Sequence, residues 1–130
     1  MKKITKDMIK IYEITNMDFM GYIQKKDVYS FHHIIKKQDG GKEKINNGAI
    51  LLRETSHNYL HIIESRDLDM YIYLNKILKD VNNQRHLPTK EQILLMWDVL
   101  EQFELEHCAD LNKKGQPLIK ESFVKRKIIY

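Results

Sequence analysis

The stretch FHHII, residues 31–35, sets two adjacent histidines among Phe31, Ile34 and Ile35, which read as a short buried strand. Neighbouring side chains on a strand point to opposite faces, so a regular strand sends one imidazole toward the core and the other toward water. Burying both rings requires a hydrogen-bond partner for each ring nitrogen, and no obvious pair of partners stands nearby in the sequence. Both rings reach one cleft if the strand ends or bulges near position 32.

Working outward, MDFMGYIQ (residues 17–24) is apolar and aromatic around Gly21 and reads as a strand or extended segment. Before it, ITKDMIKIYEI places Met8, Ile11 and Tyr12 at helical spacing, with Thr5 as the expected N-cap. After the histidines, KKQDGGKEKINNG reads as a loop able to adopt positive φ at Gly40 and Gly41, followed by a second strand, AILLR. From about Thr55 the pattern turns helical. Tyr59, Leu60, Ile62 and Ile63 lead into a stripe of Leu68, Tyr71, Leu74, Ile77, Leu78 and Val81, with a bend expected near Ser65. Beyond the polar break VNNQRHLP, Thr89 to Gln92 forms a capping-box pattern, and Ile93, Met96, Trp97, Leu100 and Phe103 follow as a core stripe.

The chain has 130 residues, enough for one domain and too few for two. Its net charge of +4 favours an anionic partner without specifying one. The last helix carries Glu91, Asp98, Glu101, Glu104 and Glu106, and the tail holds Lys113, Lys114, Lys120, Lys125, Arg126 and Lys127. That tail is expected either to fold back on the acidic helix or to bind nucleic acid. A single cysteine, Cys108, excludes an internal disulfide and a four-thiolate zinc site, and reads as a small buried residue. No apolar stretch approaches membrane-spanning length, so no membrane partner is expected and the cytoplasm is the expected compartment.

Four of the six histidines fall between positions 32 and 61. In HNYLH, His57 and His61 are four positions apart on an expected helix, one turn apart on one face and close enough to share a metal. Glu64, three positions on, reads as a solvated carboxylate in preference to an acceptor for His61. His86 and His107 lie outside this group and read as structural or exposed.

The order of parts, a strand ending in two histidines, a Gly-Gly loop, an asparagine, a second strand and a helix opening H-x-x-x-H, resembles the HNH nucleases, the His-Me finger or ββα-metal family. Its doubled histidine and paired helix histidines are most similar to the colicin-type DNase domains. The resemblance implies an α+β, mainly helical small domain built around a ββα-metal unit at about residues 29–65. A helix and strand at 4–24, helices at 66–109 and a basic tail at 110–130 would flank that unit.

It further implies that His33 is the general base and that Asn47 holds the loop that orients it, with Asn46 competing for that role. His32, His57 and His61 would hold one divalent ion: zinc, nickel, manganese or magnesium. Three neutral imidazoles suit the softer of these better than magnesium. The implied activity is hydrolysis of phosphodiester bonds in DNA, with RNA as the alternative nucleic-acid partner. Lys36, Lys37 and Arg53 would contact the nucleic-acid backbone, in a binding mode that weakens with salt. A homodimer or protein partner would select the target. The alternative is an inactive module of the same shape that binds nucleic acid or protein, for example a phage-encoded inhibitor.

Overall fold

The computed structural model describes residues 1–112, with side chains through His107. The order of elements is α1 (Lys3–Ile11), β1 (Tyr29–His33), β2 (Gly48–Leu52), a π-helical turn (Arg53–His57), α2 (Asn58–Arg66), α3 (Leu68–Gln84) and α4 (Lys90–Asn112). Among the described residues the domain is therefore α+β: four helices and a two-stranded antiparallel hairpin. The expected basic tail lies outside the described residues from 113 onward, as does the side chain of Cys108.

The hairpin is the centre of the fold. Its register pairs Tyr29 with Leu52, Ser30 with Leu51, Phe31 with Ile50, His32 with Ala49 and His33 with Gly48. Every residue of β2 is buried, because α1 packs on the hairpin and α3 packs on β2. Opposed residues in an antiparallel pair share a face. Phe31, His33, Ile50 and Gly48 accordingly make one face; a Cβ on Gly48 would lie 2.3 Å from the Phe31 ring and 2.8 Å from the Met8 sulfur of α1. Ser30 and His32, with Leu51 and Ala49, make the other.

Several sequence expectations need correction. β1 ends at His33, so Ile34 and Ile35 lie beyond the strand, and Ile35 is exposed. No extra residue interrupts the ladder, so the anticipated bulge is absent. Residues 17–24 form a folded turn with a single bridge between Met17 and Ile23 instead of a strand. The cause is Asp18, whose Oδ1 accepts hydrogen bonds from the Met20 and Tyr22 amides at 2.9 and 3.0 Å, while Gly21 takes φ +85°. Helix α1 starts at Lys3, so Thr5 is a buried helical residue and not a cap. The bend expected near Ser65 is a break at Asp67, whose side chain caps α3 by accepting from the Met70 amide. Leu68, placed in the core stripe by spacing, is exposed at the start of α3.

Other expectations match. Thr89 and Gln92 make reciprocal bonds of 2.8 and 3.2 Å at the start of α4, and Ile93, Met96, Leu100 and Phe103 are buried. Trp97 is half-buried and donates its indole N–H to the Met20 carbonyl at 3.0 Å.

Candidate metal centre

Strand, turn and helix converge on three histidines. His32 projects from β1 on the face away from Phe31, His57 closes the π-helical turn, and His61 lies one turn along α2. Their ring centroids are 4.9 to 5.8 Å apart, and one ring nitrogen from each lies within 4.8 Å of the others. His32 is buried, His57 half-buried and His61 exposed, so the group opens to solvent on the helix side.

The turn that delivers His57 is held by two carboxylates from the N-terminal segment. Asp18 Oδ2 accepts from the Leu52 amide at 3.1 Å and from the Ser56 hydroxyl, and Asp27 accepts from the Glu54 amide and from Thr55 Oγ1 at 2.8 Å. These bonds satisfy donors at the start of the turn, where the Leu52 amide also reaches Ser56 Oγ at 3.1 Å. π-turns of this kind recur at functional sites, since the extra residue re-aims a side chain.

Each of the three rings has one nitrogen against an oxygen. His32 Nε2 lies 2.8 Å from Asn75 Oδ1 on α3, His57 Nδ1 lies 2.6 Å from Ser30 Oγ, and His61 Nδ1 lies 3.2 Å from Glu64 Oε1. The Ser30 hydroxyl donates to the Leu51 carbonyl at 3.0 Å, so its oxygen accepts the His57 Nδ1 proton and leaves Nε2 with a lone pair. Glu64 also pairs with Lys36, which lies 5.8 Å above the Tyr71 ring. Burial alone would raise the Glu64 pKa, but Lys36 and His61 outweigh it and the carboxyl stays ionised. The solvated reading of Glu64 is thus replaced by an acceptor for His61.

Burial pushes the His32 pKa down to about 3, against the pull of Asn75, and burial with the neighbouring His61 and Arg53 pushes His57 down to about 4. Both are neutral at pH 7, the form in which an imidazole binds a metal. The donor set therefore fits a divalent ion of the imidazole-preferring kind, with one nitrogen per ring held by an oxygen.

His33 stands apart from this cluster. Its ring sits edge-on to Phe31, 4.9 Å between centroids, and its Nε2 lies 4.0 Å from Glu43 Oε1 with no hydrogen-bond partner among the described residues. Regular alternation sends the two imidazoles to opposite faces, contrary to the expectation that both reach one cleft. His33 is still close enough to His57 to lower that residue's pKa. Desolvation, opposed by Glu43, lowers the pKa of His33 itself.

Asn47 is buried and locks the loop. Its Nδ2 donates to the Ile35 and Lys42 carbonyls at 2.9 and 3.0 Å, and its Oδ1 accepts from the Ile35 amide at 2.8 Å. Asn46 is exposed. Of the cations, Lys37 and Arg53 are exposed, and each lowers the pKa of a nearby histidine, His33 and His57 respectively. Lys36 is tied to Glu64. His86 is exposed, and His107 stacks on Phe103 with its Nε2 4.0 Å from Asp67.

Sequence reasoning missed Ser30, Asn75, Asp18 and Asp27. Ser30 carried a signal, since it shares a strand face with His32. Asn75, 43 positions from His32, carried none. No protein family, no curated protein and no solved structure matches this chain.

Proposed function

We propose that the protein is a metal-dependent endonuclease of the HNH type, hydrolysing phosphodiester bonds in DNA. The observation that carries the reading is the meeting of His32, His57 and His61 from strand, turn and helix, their nitrogens within 4.8 Å of one another, beside a loop locked by Asn47. His32, His57 and His61 hold the ion, which when bound supplies positive charge to a phosphate oxygen and to the leaving oxygen.

The chain's own residues do the rest. His33, neutral at cellular pH, takes the proton from water, and the Glu43 carboxylate 4.0 Å from its Nε2 stabilises the imidazolium that forms. Asn47 fixes residues 34–35 through the Ile35 amide and carbonyl, and with them the end of the strand that bears His33. Lys37 and Arg53 bind flanking phosphates.

A second reading has an observation of its own. The His33 ring lies on the Phe31 face of the hairpin, opposite His32, which favours a module that keeps the metal centre and binds without cutting.

Supercoiled plasmid incubated with the protein and manganese, nickel, zinc or magnesium separates the two. The nuclease nicks plasmid only with metal, and His33→Ala abolishes nicking while still binding one equivalent of zinc. Zinc bound at one equivalent by the unsubstituted protein, with no cleavage of DNA or RNA under any metal, selects the binding module.

A further inference from the structure

Asn75 is a polar side chain on α3, outside the strand–turn–helix unit, and it meets the most buried of the three rings. Its two amide atoms face different partners. Nδ2 lies 3.5 Å from the Ile34 carbonyl, and Oδ1 lies 2.8 Å from His32 Nε2. A backbone carbonyl only accepts, so the amide nitrogen must be the end turned toward Ile34. Its oxygen is then the end that faces His32, and an oxygen of this kind only accepts as well. The proton on the His32 ring is therefore on Nε2, and the lone pair is on Nδ1.

We infer that Asn75 is a positioning residue that fixes His32 in the Nε2–H tautomer and so selects Nδ1 as its ligand nitrogen. What Nδ1 binds rests on the metal-centre reading above; the tautomer does not. The resulting donor set is mixed. His32 offers Nδ1, whereas His57 and His61, whose Nδ1 atoms face Ser30 and Glu64, offer Nε2. An exposed imidazole in water is free to exchange its tautomers, and His32 is not, because a carbonyl on its own chain sets the amide that sets the ring. Helix α3 thereby becomes part of the centre. A ring held in the binding tautomer before the ion arrives has no rearrangement left to make, and removing such a partner typically weakens metal binding about 10- to 100-fold.

The test reads the ring directly. In the metal-free protein at pH 7, long-range ¹H–¹⁵N NMR, with the signal assigned by its loss in His32→Gln, is expected to show His32 protonated at Nε2. Asn75→Leu keeps the side-chain volume and removes the acceptor. It is expected to move the ring to Nδ1–H or a mixture and to weaken zinc binding by titration calorimetry about 10- to 100-fold. Asn75→Asp, which keeps an acceptor in place, is expected to retain Nε2–H and near-original zinc affinity. Asn75→Ala makes the same prediction as the leucine variant should that one fail to fold. Persistence of the Nε2–H tautomer in both apolar variants overturns the inference. So does its loss in the aspartate variant. A protein that takes up no zinc but whose His32 tautomer follows residue 75 overturns the metal centre and leaves the role of Asn75 intact.

Discussion

Asn46 and Asn47 are identical in chemistry and opposite in situation. Asn47 is buried and holds three backbone groups of the loop, whereas Asn46 is exposed. Truncating Asn47 removes three part-buried hydrogen bonds at once, those to the Ile35 amide and to the Ile35 and Lys42 carbonyls. Asn47→Ala should therefore cost about 2–3 kcal/mol, while Asn46→Ala should stay within about 0.5 kcal/mol. Urea unfolding of the two variants checks this, and equal effects would remove Asn47 from its bracing role. The residues readable in the sequence are those whose relation is local: an i, i+4 histidine pair fixes its own geometry on a helix. Which asparagine turns inward depends on loop path, and a partner such as Asn75 depends on how α3 lies across the hairpin. Neither is written in neighbouring residues.

Among the elements, the hairpin decides where everything else goes, and Gly48 decides how closely α1 approaches it. A methyl group there would meet the Phe31 ring at 2.3 Å and the Met8 sulfur at 2.8 Å. Gly48→Ala should destabilise the fold by about 1–3 kcal/mol through overpacking. It should also shift the NMR resonances of His33, which pairs with Gly48 and packs edge-on to Phe31, more than those of His61. Unchanged His33 resonances would mean that Phe31 does not support that ring. Periodicity revealed the helices, and a continuous apolar run the second strand, because each is a property of one element alone. It failed at residues 17–24, where strand-like composition is overridden by a buried carboxylate. Asp18 gathers the Met20, Tyr22 and Leu52 amides and the Ser56 hydroxyl, and so turns the segment into a clamp on the junction that presents His57.

At the scale of the whole molecule, charge is unevenly spread. Six of the 22 basic residues and one of the 18 acidic residues lie beyond position 112, so residues 1–112 carry a formal net charge of −1. Stability against pH is then governed by buried groups more than by overall repulsion. His32 and His57 refuse protons until about pH 3 and 4 in the folded protein, whereas an unfolded histidine takes one up near 6.5. As pH falls below 6.5 these two sites favour the unfolded chain, and His33, also lowered, acts in the same direction. Asp18 opposes them. Burial, partly offset by its bonds from Ser56, Leu52, Tyr22 and Met20, raises its carboxyl to about 6 from 3.8, so the folded form binds a proton that the unfolded form has lost. His32 and His57 against Asp18 leave a net uptake of about one proton on unfolding between about pH 4 and 6, to which His33 adds. Stability should fall by about 1.4 kcal/mol per pH unit across that window. Urea midpoints at pH 7, 6, 5 and 4 measure the slope, and a flat or rising profile would contradict the neutral burial of the two rings. His32 and His57 carry no proton for zinc to displace at pH 7 in the folded protein, so if the three imidazoles hold zinc, adding it there should raise the unfolding free energy by about 2.7 kcal/mol at one hundred times its dissociation constant. The gain should persist to about pH 4, where His57 begins to take up a proton, and in His57→Ala it should be small at every pH.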